Sequence, residues 1–255
     1  AMSLDLLIGY TGLVSFGHAA FFGLSGYMLA IITPETEPVS IWLALPFCLL
    51  VTAMAALIIG WFSVRTSGIY FIMITLAFAQ MFYYYFNENQ HLGGSDGIFI
   101  FYKPTIFIGD FQLLDLNNQQ NFYYFVLVSL VISYLALSVI LHAPFGQVIR
   151  GILANETRTR ALGFNTQRYK LVSFVIAGTL AGFAGFLEAN AVGIMSPAHL
   201  GWHESGTIMM VVILGGMGTL YGPVLGAFAM GFYRITSKIY GVSIGYYCWA
   251  SSSLL

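Results

Sequence analysis

The sequence predicts an all-α, polytopic membrane protein with about six or more transmembrane helices, some broken by glycine-rich segments. Three observations carry that expectation. Apolar runs of near-spanning length recur at about 16–32, 41–62, 69–86, 122–141, 171–192 and 206–233, and a helix needs about 20 apolar residues to cross a hydrocarbon core of about 30 Å. The composition is 58% hydrophobic and 7% charged, where a soluble domain carries about 25% charged residues. The cations also sort by side. Threading the runs up and down puts Arg65, Arg150, Arg158, Arg160, Arg168, Lys170, Arg234 and Lys238 on one face and leaves Lys103 on the other. Cytoplasmic loops collect Lys and Arg, so the first face is expected to be the cytoplasm. Glu35, Glu37, Glu88, Asp110 and Asp115 fall on the opposite face.

Several function classes drop out on composition. A mean hydropathy of +0.83 leaves too little polar surface to cover a water-soluble globule. The net charge of −1 offers no basic footprint, so no nucleic-acid partner is expected. Cys48 and Cys248 lie in or near apolar runs and far apart, as apolar fillers rather than a disulfide or a metal pair. The chain opens AMSLDLLIGYTG, from which no cleavable leader is expected and which reads as the tail of an earlier helix. No repeat of solenoid length is visible.

Taken in order, the first apolar run is preceded by GYTGLVSFGH (9–18), rich in glycine. The run 171–192 carries Gly178, Gly182 and Gly185, a small-residue face of the kind that lets helix backbones approach closely in lipid. The last run is interrupted by GGMGTLYGP (215–223), where four glycines and a proline disfavour a continuous helix. Irregular backbone at apolar depth is tolerated where protein buries it or where it lines a wet cavity. Two such breaks, one early and one late, point to a transport path. The candidate path residues are therefore Gly12, Ser15, Gly17, His18, Gly215, Gly216 and Gly218, and the two breaks are expected to lie together and face a central cavity. Tight helix crossings are the other use of such glycines.

Two connections are long enough to carry a task. The outer one, 87–121, begins HLGGSDG, in which GGSDG reads equally as a turn after a helix or as a substrate gate. The inner one, 142–170, reads HAPFGQVIRGILANETRTRALGFNTQRYK. Pro144 starts a short helix that runs through Ala154. Asn155 is a good N-cap for a second, with Glu156 in its first turn near the positive dipole end and Gly163 stopping it. The resulting pair of helices displays Arg158 and Arg160 beside apolar Ala161, Leu162 and Phe164. It suits either a basic loop that fixes orientation or a docking surface for a cytoplasmic partner.

GYTGLVSFGHAAFFGLSGY (9–27), RTSGIYFIMITLAFAQMFYY (65–84), GGSDGI (93–98), ANETRTRALGFNTQRYKLVSFVIAG (154–178) and SPAHLGWHESGTIMMVVILGGMGTLYGPVLGA (196–227) resemble, in order, blocks of the permease subunits of bacterial branched-chain amino acid ABC transporters. The resemblance implies one transmembrane permease domain over 1–255, multi-pass in the bacterial inner membrane, with a cytoplasmic coupling loop at 142–170 and an extracytoplasmic loop at 87–121. It implies an ATP-driven importer for branched-chain or related amino acids, working by alternating access, with urea, short amides or sugars as alternative cargo. The implied partners are ATPase subunits on the cytoplasmic face, a second homologous permease subunit and an extracytoplasmic solute-binding protein. Coupling to the ATPase falls, by the same resemblance, on Asn155, Glu156, Arg158, Arg160, Ala161, Leu162 and Gly163. Family members usually carry a span or two before the GYTG block and a further helix and cytoplasmic tail at the end, so truncation at both ends is expected. No cofactor and no catalytic residue are implied, and the chain has no GxxxxGK[ST] phosphate loop.

An intramembrane metal-dependent hydrolase is the rival from another class. HLGWHE (199–204) spaces His199 and His203 four apart, but its Glu204 follows the second histidine, whereas zinc peptidases read HExxH. Pro197 and Gly201 also weaken the helix that this spacing needs, so no metal site is expected. His18 and Glu188 are ionisable groups within or at the ends of apolar runs, which makes each a candidate for function. Glu188, near the outer end of its run, can equally reach the interface.

Overall fold

The computed structural model describes residues 1–33, 39–100, 104, 106–108, 111–114 and 118–239. Glu35, Glu37, Lys103, Asp110, Asp115 and Cys248 lie outside the described residues, as does the side chain of Lys238. The described chain is helical almost throughout. A short α1 (Met2–Thr11) is followed by a non-helical stretch and then by α2 (His18–Ile32), α3 (Ile41–Ser63) and α4 (Ile69–Glu88). Beyond the connection 87–121 come α5 (Gln119–His142), α6 (Pro144–Ala154), α7 (Glu156–Ala161) and α8 (Thr166–Val192). The last two helices are α9 (Trp202–Gly215) and α10 (Gly222–Ile239). Among the described residues, α3, α4, α5 and α8 are long and apolar enough to cross a membrane.

Local chemistry sets the ends. Asn118 caps α5 by accepting the Gln120 N–H at 3.1 Å. Ala143 takes an extended conformation, as a residue before proline prefers, and Pro144 then occupies the first turn of α6. Asn165 caps α8 through the Arg168 N–H at 3.3 Å.

Burial ranks the helices. In the most apolar stretch of α8, 44% of residues are buried, against 17% in α5, so α8 is central and α5 peripheral. The small face of α8 is the surface on which α2 and α3 close. A methyl group at Gly178 would meet Ala56 at 2.7 Å, one at Gly182 would meet Thr52 at 2.7 Å, and one at Gly185 would strike the backbone of Phe22. Around this axis Phe174 lies edge-on to Phe21 and Phe71, at 5.6 and 6.0 Å. A second apolar cluster, with Tyr27 stacked on Phe86 at 4.2 Å, fills the half of the molecule that holds Met195 and Leu200.

Two of the expected spans are corrected. The first is shortened: residues 12–17 are not helical, and α2 begins only at His18. The last, 206–233, is not one crossing. α9 and α10 lie antiparallel, with Gly215 against Gly222 and Val211 against Gly226. The turn at 216–221 contains Gly216 and Gly218, both at positive φ (97° and 81°), where residues with a Cβ are strained. Because the chain reverses there, the part of α10 bearing Arg234 and Lys238 returns away from the turn. Leu220 in that turn packs against the apolar cluster to which Tyr10, Leu141 and Ile149 belong. Arg234 and Lys238 therefore leave the group of cations expected on one face, while Arg150, Arg158, Arg160, Arg168 and Lys170 stay at the α6–α7 end.

The connection 87–121 holds strands that periodicity did not predict. It contains β1 (Ile98–Phe99), β2 (Ile106–Ile108) and β3 (Phe111–Leu114), and β4 (Ile194–Met195) follows α8. β2 and β3 form a hairpin, and β1 pairs antiparallel with β4. GGSDG folds as tight 3₁₀ turns that deliver β1 to this pairing, and the Ile100 N–H donates to the Gly193 carbonyl at 2.8 Å.

Candidate functional site

The two glycine-rich breaks meet different partners. Gly9–Thr11 still belong to α1, so the first break is 12–17, entered through Gly12 at φ 75°. Hydroxyl groups satisfy its freed backbone donors. Phe16 N–H donates to Thr75 Oγ1 of α4 at 3.3 Å, Gly17 N–H to Ser15 Oγ at 3.2 Å and Ala19 N–H to Ser205 Oγ of α9 at 3.1 Å. At apolar depth these are the substitutes for water that broken helices require. Ser15 and His18 are buried, with the His18 ring edge-on to Phe21 at 6.1 Å.

The second break docks on α1 rather than on 12–17. Asp5 Oδ1 accepts the Gly218 N–H at 2.8 Å. A methyl group at Gly9 would lie 2.6 Å from the Gly218 Cα and would strike the Gly218 nitrogen. Here α1 and the α9–α10 turn touch backbone to backbone. The expected proximity of the breaks is thus partly met, through Gly9 and Gly218, but the contact is closed and no cavity opens between these two residues. Asp5, only 1% exposed, is a functional candidate missed in the sequence. Its signal was present: an acidic residue in an otherwise apolar stretch.

The connection 142–170 folds as α6 and α7. Asn155 Oδ1 accepts the Arg158 N–H at 2.9 Å, which starts α7, and Gly163 at φ 92° ends it. α6 is seated on α1 by Arg150, whose guanidinium lies 5.3 Å from the Tyr10 ring centre. Asn155, Arg158, Arg160, Ala161, Leu162 and Gly163 are exposed, Leu162 at 72%. Beside them an open cleft is lined by Arg160, Gly163, Phe164, Asn165, Thr166 and Gln167.

Glu156 points the other way. Its Oε2 accepts from Lys170 Nζ at 2.6 Å, and its Oε1 accepts from Thr166 Oγ1 at 3.0 Å and from the Arg160 guanidinium at 3.2 Å. Partial burial works to raise its pKa. The Lys170 hydrogen bond and charge, the Thr166 hydroxyl and the Arg160 charge outweigh that and hold the carboxyl below its ordinary value. Lys170 and Thr166 were missed as functional residues, because in the sequence Lys170 is only one more orienting cation.

His199 and His203 do not share a helix face. His199 lies in a 3₁₀ turn (Pro197–Leu200), while His203 is in the first turn of α9 and stacks on Trp202 at 3.8 Å. Among the described residues no group of three or more His, Cys, Asp and Glu side chains could hold a metal ion. Glu188 is exposed on α8.

Known proteins supply the frame for these features. Residues 1–251 match the family model described as branched-chain amino acid transport system / permease component. The high-affinity branched-chain amino acid transport system permease protein LivM of Salmonella typhimurium is 29% identical over 89% of this chain and 57% of its own, and LivM of Escherichia coli gives the same figures. LivH of Escherichia coli is 20% identical over 94% of this chain and 81% of its own. The ribose import permease protein RbsC of Escherichia coli is 30% identical over 41% of this chain and 34% of its own. The chain thus spans little more than half the length of the LivM proteins it matches. No solved structure matches it. With its apolar spans, its broken helices and a family match from end to end, the chain belongs to the branched-chain amino acid transport system permease components and is a multi-pass membrane protein.

Proposed function

We propose that the chain is the membrane-spanning permease subunit of an ATP-driven importer for branched-chain or related amino acids, set in the bacterial inner membrane. Separate ATPase subunits engage the exposed face of α7 on the cytoplasmic side. A second, similar permease subunit and an extracytoplasmic solute-binding protein complete the assembly. The observation that carries the reading is the built surface at one end of the bundle. There Arg158, Arg160, Ala161, Leu162 and Gly163 stand exposed on a capped helix pair seated on α1. The path runs past the breaks at Gly12, Ser15, Gly17 and His18 and at Gly215, Gly216 and Gly218, and opens when the closed Gly9–Gly218 contact parts. The permease performs no bond chemistry; it redistributes between inward- and outward-facing packings as ATP drives its partners.

The likeness to a ribose permease over part of the chain supports a second reading, a sugar as cargo. Proteoliposomes holding the assembled importer decide both questions. ATP-dependent uptake of labelled leucine that needs the binding protein supports the first reading, and uptake of ribose instead moves the cargo to the second. Absence of any ATP-dependent uptake would sink the importer assignment.

A further inference from the structure

We propose that Glu156 is the joint between α7 and the membrane-spanning helix α8, a positioning residue rather than a contact to the ATPase. The inference rests on the coupling role proposed above and assigns the residue that makes that coupling mechanical.

The geometry separates Glu156 from the rest of the exposed set. Its carboxylate turns inward and collects Thr166 and Lys170 from the start of α8, with Arg160 bracing it from its own helix. Thr166 and Lys170 are buried, the lysine side chain at 8% exposure. A buried ammonium group near the N-terminal end of a helix is doubly unfavourable, because it loses water and faces the positive end of the dipole. The Glu156 carboxylate at 2.6 Å answers both costs.

α7 has six residues, too few to hold a helix unaided. What fixes its direction is tertiary. Thr159, buried, packs beside Gly151 of α6, where an added methyl group would lie 3.3 Å from its hydroxyl, and Glu156 ties the helix to α8. With that tie in place, a push on Leu162 or Gly163 moves α8. Without it, the same push reorients α7 alone.

The two roles predict different patterns of loss. If Glu156 and Lys170 act as one bond, removing either removes the whole effect, and the two changes are not additive. The test uses the assembled importer in proteoliposomes with Glu156→Gln, Lys170→Met, the double variant and Lys170→Arg. Each single change is expected to lower substrate carried per ATP about tenfold, equivalent to about 1.4 kcal/mol. The double variant should fall no lower than the worse single, Lys170→Arg should retain most of the transport, and the ATPase should co-purify throughout.

The idea is overturned if Glu156→Gln releases the ATPase while Lys170→Met keeps it, or if the losses multiply in the double variant. Should Lys170→Met fail to insert, Thr166→Val forms a parallel cycle with Glu156→Gln and reads the other bond from Glu156 to α8, the one to the Thr166 hydroxyl. Leu162→Asp tests the coupling surface by itself and should release the ATPase. If it leaves the ATPase bound and coupled, the surface assignment falls. The joint is then judged by amide exchange in α7, which Glu156→Gln must accelerate.

Discussion

Asp5 and Gly218, 213 positions apart, are joined by a hydrogen bond of 2.8 Å from the glycine N–H to the buried carboxylate. It binds the first helix of the chain to the turn of the last hairpin. Asp5→Ala leaves a buried donor unsatisfied, at a cost of about 1–3 kcal/mol, too little to prevent insertion of a multi-span protein. Transport should therefore fall more than membrane expression does, and Asp5→Asn, which keeps an accepting oxygen, should recover much of it. Uptake and membrane-fraction blots on the same cells compare the two.

Gly9→Val forces a side chain into the Gly218 backbone. Overpacking of this kind costs about 1–3 kcal/mol, and the hairpin can escape it only by moving off α1. The expected outcome is a protein that inserts but transports poorly, measured as uptake per unit of inserted protein. Uptake equal to that of the parent would show that the closed contact has no part in the cycle.

Gly163 needs a left-handed backbone, while a Cβ there would meet nothing within 4 Å. Gly163→Val thus tests conformation without a clash. The strain, about 1–3 kcal/mol, falls on the end of α7 and should uncouple ATP hydrolysis from uptake. ATP turnover stimulated by the substrate-loaded binding protein is the readout.

Acid should loosen the junction of α7 with α8. The pKa of Glu156 is held below its ordinary value of 4.5, so its contribution is fully present at neutral pH. It is lost as pH falls through that lowered value. Protection of the α7 amides against exchange, taken relative to the unstructured rate at each pH, should hold down to the ordinary carboxylate range and fall only below it. Glu156→Gln should show low protection at every pH.

The orientation is tested by cysteine labelling. Thr159 is buried, so Leu162, exposed at 72%, is the better cytoplasmic site, with exposed Asn118 as the outer one. An impermeant reagent should reach Asn118→Cys from outside intact cells and Leu162→Cys only after lysis. Labelling of both from outside would reverse the topology.

Much of the α6–α7 unit was legible because its boundaries are written in residues with local physics: Pro144, Asn155 and Gly163. The six apolar runs located the long helices for a similar reason, since length and hydropathy are summed over many residues. The reversal at 216–221 was not legible, because hydropathy carries no direction and two short antiparallel helices look like one interrupted span. β1 and β4, two residues each, are too short to show a period. Asp5 and Lys170 were visible as charges, but their partners lie in distant or folded-back segments that no local pattern identifies.

Both ends of α8 are tied. Lys170, near its start, is bonded to Glu156, and β4, just past its end, is paired with β1. Its 27 residues amount to a rod of about 40 Å. A rod pinned between its two ends converts a rotation into opposite displacements above and below the pivot. On a rod of that length, a tilt of about 5° about one end shifts the other by about 3.5 Å, close to the rise of a single strand residue. In the same tilt Phe174, eight residues from the pivot, moves by only about 1 Å, so the far end carries most of the displacement.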